Sequence, residues 1–232
     1  MVRYFLFLFL FVSVIYAGEN ALQAYKKKDY DRAFELYMID AKNGDSVAQN
    51  AVSYLYFNGI GVQKDTKEGL FWLKKSAHNM DANAQYDLAM MYLIGHNVKK
   101  DLNSAKTWFD SSADLGNANA QYNLALMYYR GDGVKQNVQK AAELLEKAAM
   151  QGHKGAIQNV GIVYMQLLRF DKATKWLEIN AKNGDEGAYY LLAEAYCNLE
   201  KFSQAKKWTK KSMDTGNKEA SKLWKKYNLS KY

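Results

Sequence analysis

The chain contains no proline, one cysteine (Cys197) and three histidines among its 232 residues. Ordinary usage would put roughly a dozen prolines in a chain of this length. Their absence argues against collagen-like, polyproline and proline-linked multidomain architectures and leaves room for uninterrupted helices. A single cysteine cannot form an intramolecular disulfide framework, so any core must hold by packing alone. The apolar fraction of 49% is too high for a disordered chain. Long apolar runs are scarce as well. The stretch from Tyr4 to Tyr16, broken only by Ser13, is thirteen residues, short of the roughly twenty that span a bilayer as a helix. It follows Arg3 and precedes Ala17, and no acidic residue occurs before Glu19. That pattern is a secretory signal peptide. Cleavage is expected after Ala17, which leaves residues 18–232 as a periplasmic or secreted chain in an oxidising compartment. No cysteine follows the run, so lipid attachment is not indicated.

What the sequence does have is self-similarity. Ala48, Ala84, Ala120 and Ala156 stand 36 residues apart, and Ala188 and Ala220 continue at steps of 32. Tyr56, Tyr92, Tyr128, Tyr164 and Tyr196 keep the same steps, as do Trp72, Trp108, Leu144, Trp176 and Trp208. The change of period has a local origin: the turns at 58–65, 94–101 and 130–137 are long, and those at 166–171 and 198–203 are short. Apolar spacing within a repeat predicts two helices. Gly59, Gly95 and Gly131 fall where the first helix should end in a left-handed cap. In the next glycine column Asn97 replaces Gly61 and Gly133, and Asn is the other residue that visits that conformation readily. Asp29, Asp65, Asp101 and Asn137 are placed to cap the second helix, and Asp65 with Glu68 has capping-box spacing.

A helical hairpin cannot bury both faces by itself and must stack on neighbours, so the expected fold is all-α, an α/α solenoid of stacked hairpins with one core along its length. Hairpins are predicted near 19–43, 45–79, 81–115, 117–151, 153–183 and 185–215, with a capping helix over 217–228, all in a single repeat domain over 18–232.

The segment NAQYNLALMYYRGDGVKQNVQKAAELLEKAAMQG at 119–152 closely resembles the Sel-one-like repeat, a relative of the tetratricopeptide repeat with a longer, glycine-containing turn. Units at 47–80 and 83–116 match nearly as well, and the short-turn units at the ends are more similar to tetratricopeptide repeats. The resemblance implies a superhelical scaffold or adaptor for protein partners, in bacteria often secreted or periplasmic. A cysteine-rich branch of the family is associated with penicillin binding and weak β-lactamase activity, but this chain lacks the cysteine pairs that mark it. β-Lactam binding or weak hydrolysis is therefore the runner-up reading.

Chemistry is sparse. His78 ends a second helix, His96 lies in a turn and His153 begins a first helix, with no HExxH or Cys/His cluster among them. They read as surface or capping residues. Ser203 and Lys206 have Ser-x-x-Lys spacing, but the companion motifs of serine β-lactamases are missing. Cys197 reads as a small apolar filler, with a disulfide to another chain as the sharper alternative. No catalytic residue, metal or cofactor is expected.

The informative pattern lies on the first helices. If these line the inner surface, as in tetratricopeptide repeats, residues outside the packing columns face a groove. They are Asn50, Tyr54 and Phe57; Tyr86, Met90 and Leu93; Tyr122, Leu126 and Tyr129; Gln158, Ile162 and Met165; and Tyr190, Glu194 and Cys197. The stripe is apolar and aromatic without a basic residue, unlike a solvated face, and such patches mark binding sites. The expected occupant is an extended or helical peptide of a protein partner. The bland alternative is that a tightly wound superhelix packs these residues on each other. A carboxylate clamp is disfavoured, since Asn50 alone cannot build one.

The formal charge of +8 is uneven. Residues 1–200 hold 22 basic and 22 acidic residues, and 201–232 hold ten and two. Lys206, Lys207, Lys210, Lys211, Lys222, Lys225 and Lys226 therefore form a basic end beside Trp208 and Trp224. It reads as a soluble polar cap or as a surface for an acidic partner or anionic envelope. Export makes nucleic acid an unexpected partner.

Overall fold

Thirteen residues, capped at both ends, recur as the helical unit of this chain. The structure, a computed structural model, describes residues 20–232. The expected leader and its cleavage site after Ala17 lie outside the described residues. Those described fall into two units, one ending at Asn117 and the other running Ala118–Tyr232. The first contains α1 (20–26), α2 (Tyr30–Lys42), α3 (Ser46–Asn58), α4 (Thr66–His78), α5 (Ala82–Ile94) and α6 (Leu102–Asp114). The second contains α7 (Ala118–Arg130), α8 (Val138–Met150), α9 (Lys154–Gln166), α10 (Phe170–Lys182), α11 (Gly187–Asn198), α12 (Phe202–Asp214), α13 (Lys218–Lys226) and a closing 3-10 turn, Leu229–Lys231. No strand occurs among the described residues, and the fold is an α/α repeat solenoid.

The helix starts follow from short acceptor side chains. Asp65 Oδ1 accepts from the Lys67 and Glu68 N–H groups at 2.8 and 3.1 Å, Asp101 from Asn103 at 3.0 Å, and Asn137 from Lys140 at 2.9 Å. Only the forward half of the expected capping box forms, because the Asp65 N–H donates instead to the Tyr56 carbonyl. This bond recurs at Asp101 to Tyr92 and at Asn137 to Tyr128. In the short turns Arg169 donates to Tyr164 and Lys201 to Tyr196 in the same way, although neither caps with its side chain. Gly59, Gly95 and Gly131 are left-handed, and so are Gly61, Asn97 and Gly133. Gly61 is constrained twice over, since a Cβ there would stand 2.0 Å from the Tyr30 carbonyl oxygen.

Packing follows the columns. All six alanines of the repeat column are buried, as are Trp72, Trp176 and Trp208. Trp108 is half-buried and stacks on His78. Buried amides lock each first helix of the first unit to the second helix before it: Gln49 donates to the Ala41 carbonyl and Gln85 to that of Ala77, both at 3.0 Å. Ser76 and Ser112 hydroxyls donate to the Ser46 and Ala82 carbonyls. Asp40, in the same second-helix column, is buried with both oxygens unpartnered, and burial raises its pKa.

Candidate functional site

The first helices α3, α5, α7, α9 and α11 carry the stripe, and the structure leaves most of it outside the core. Tyr54 is 52% exposed and Ile162 48%. Gln158 is exposed, and Asn50, Phe57, Tyr86, Met90, Leu93, Tyr122, Leu126, Tyr129, Met165, Tyr190 and Glu194 are half-buried. Cys197 departs from the stripe: it is 2% exposed, belongs to the core, and holds a free thiol whose pKa burial pushes up to about 11. A buried thiol is out of reach of another chain, so the intermolecular disulfide is not supported.

In the first unit the stripe borders two adjoining cavities. One, of about 250 Å³, is lined by Asn50, Tyr54, Phe57, Met90, Ile94 and His96 among others. The other, of about 390 Å³, is lined by Leu22, Tyr25, Tyr37, Val47, Asn50 and Tyr54 among others. Asp87 of α5 lines both. The Asn50 amide donates to Asp81 at 3.3 Å, which ties α3 to the start of α5. Asp87 is solvent-exposed at the residue level, and the protein packed around its carboxyl, and after it the Asp81 charge, push that group up to about 6. Tyr86 turns toward Phe109, with ring centroids 5.9 Å apart. Asp87 is the residue that the apolar pattern missed. Its signal was an acid in a column otherwise occupied by Ala51, Asn123, Asn159 and Leu191 in the other first helices that carry the stripe.

In the second unit Tyr122, Leu126, Tyr129 and Ile162 line a cavity of about 250 Å³ together with Asn159 and Arg130. Tyr122 is held from two sides: its ring stacks on His153 with centroids 4.3 Å apart, and its hydroxyl accepts from the Asn159 amide at 3.3 Å. His153 itself caps α9, its Nδ1 accepting from the Ala156 N–H at 3.1 Å, and burial lowers its pKa. Arg130 places a cation at the rim that the stripe lacks. Leu93, Met165, Tyr190 and Glu194 line none of these three cavities. Burial, then the charges of Glu194 and Glu219, raise the Tyr190 pKa.

At the basic end several lysines are engaged. Lys206 Nζ donates to the Ser230 carbonyl at 3.1 Å, so its amine is committed to backbone and not to Ser203. Lys207 and Lys211 lie over the Trp208 ring, Lys211 also over Tyr189, and Lys226 over Tyr227. Lys222 pairs with Glu219, while Lys210 and Lys225 stand exposed. Among the described residues no group of three or more His, Cys, Asp or Glu could hold a metal ion, and no helix is long and apolar enough to cross a membrane.

A family model of the Sel1 repeat matches residues 16–37, 46–79, 82–117 and 118–153. No curated protein matches the chain. Among solved structures, the chain is similar to a Sel1 repeat protein from Oxalobacter formigenes at 35% identity and a TM-score of 0.53, over 53% of this chain and 93% of that one. It is also similar to c5321, a protective antigen present in uropathogenic Escherichia coli strains that displays an SLR fold. That likeness has 28% identity and a TM-score of 0.64, over 88% of this chain and 46% of that one. This chain therefore matches a little under half the length of c5321.

Proposed function

The chain belongs to the Sel1 repeat family, and from that premise we propose that its aromatic groove binds a peptide segment of a protein partner, with no chemistry of its own. Repeat scaffolds of this kind generally serve protein interaction. The observation that carries the finer reading is the exposure of Tyr54 and Ile162 at the mouths of cavities, where a core would have enclosed them. Tyrosine supplies rigid area with a polar tip, and methionine adapts to varied shapes. The test is selection of binders from a displayed library of random twelve-residue peptides. Tyr122→Asp with Leu126→Asp should abolish capture by the second unit's cavity while the far-ultraviolet helical spectrum stays intact. A double variant that unfolds would mean that these side chains are core.

Two subsidiary readings belong to the same proposal. The arginine-led apolar run that precedes Ala17 supports export; mass determination of the protein recovered from fractionated cells should give a chain beginning at Gly18. The exposed Lys210 and Lys225 support contact of the basic end with an acidic partner or anionic envelope. Binding to anionic vesicles should then weaken steeply with salt.

A further inference from the structure

We infer that the groove of the first unit selects peptide segments carrying one basic side chain between apolar ones, the cation seated on Asp87 against the Tyr25, Tyr37 and Tyr54 rings. This rests on the peptide-groove reading and adds the chemistry of the occupant. Two apolar lobes meet at one carboxylate. Phe57, Met90 and Ile94 furnish the walls of one lobe, and Leu22 and Val47 those of the other, with Asp87 common to both. Among the described residues Asp87 has no hydrogen bond or ion pair, and no Lys or Arg lines either cavity. Asp87 is solvent-exposed, so an incoming cation can reach it, and an unpaired carboxylate between apolar walls is complementary to one basic side chain. An incoming ammonium or guanidinium would pair with that carboxylate, and tyrosine faces add cation–π attraction. Burial is the first cause of the raised pKa at Tyr25 and Tyr37, so both rings stay neutral beside the cation. A bound cation favours the ionised carboxylate, so affinity should fall as pH drops through about 6. The groups facing this carboxyl are Tyr25, Tyr37 and Tyr54, with Asp81 at the start of α5 and His96 in the turn after it.

The experiment pans the displayed twelve-residue library on the whole chain and on Asp87→Asn, then measures synthetic hits by fluorescence anisotropy. Enriched peptides should carry a lysine or arginine flanked by apolar residues. Asp87→Asn, or citrulline in place of the peptide's arginine, should weaken binding by about two- to fivefold. Lowering the pH from 7.5 to 5 should weaken it comparably, and His96→Gln should retain that pH response. Hits that lack a basic residue, lose binding in Tyr54→Asp and bind Asp87→Asn unchanged would overturn this inference while leaving the peptide groove standing. A library that yields no binder for the wild-type chain would overturn both.

Discussion

Met80 holds a left-handed backbone, with φ of 63°, in the turn between repeats where Gly44, Gly116, Gly152, Gly184 and Gly216 stand in the sister units. Its side chain is 67% exposed, so little packing offsets the strain. A left-handed L-residue costs about 1–2 kcal/mol, of which glycine's greater freedom in the unfolded chain returns part. Met80→Gly should therefore stabilise the protein by about 0.5–1 kcal/mol, raising the thermal midpoint by about 1–4 °C; a lowered midpoint would contradict it. Glycine and asparagine made such positions legible at Gly59 and Asn97. Lys28, Leu168 and Glu200 are left-handed too, yet nothing in their side chains announces it. There the shortened turn imposes the conformation, and tertiary context overrides residue preference. Asp87 was illegible for a related reason: a search for apolar periodicity passes over an acid that acquires its setting only when α3 and α5 bring two cavities to it.

At the scale of the element, the hairpin turn keeps one hydrogen bond through a change of length. The carbonyl of the tyrosine column accepts the N–H of the residue before the second helix whether nine residues or five separate them. Four residues are thus gained or lost without disturbing helix pairing, which is why the period could shift from 36 to 32 while the columns stayed intact. The column itself was plain in the sequence. Its polar partners were not, because they join residues on different hairpins. The Tyr164 hydroxyl donates to Glu146 at 2.6 Å, Lys172 Nζ donates to the same oxygen at 2.9 Å, and Trp176 Nε1 approaches the other at 3.4 Å. The Tyr196 hydroxyl donates to Glu178 in the same arrangement one hairpin on. Burial by itself would raise the Glu146 pKa, but these bonds outweigh it and hold the carboxyl below its usual range. Such a group adds stability above its unfolded pKa and loses it as pH falls through the folded one. Glu146→Ala should destabilise by about 1–3 kcal/mol near neutrality. Urea titrations should find that deficit shrinking in acid; a deficit independent of pH would show that the carboxyl is not held this way.

Across the whole molecule, the fold was the most legible property and the site the least. Three columns with one changing period sufficed for the hairpins, since each position repeats the same packing problem. A binding site has no such repetition: the cation Arg130 stands at one cavity of the second unit, and the anion Asp87 where two cavities of the first adjoin. Within each unit the principal packing is between helices consecutive in the chain, from α2 onward in the first and from α7 onward in the second. That pattern has a kinetic consequence. Contacts between near neighbours in sequence close short loops, so folding is fast and can begin at any hairpin. With no proline in the chain, no prolyl isomerisation can delay it. Refolding from denaturant, followed by stopped-flow fluorescence of the tryptophans, should finish without the phase of about 10–100 s that proline-containing chains commonly display.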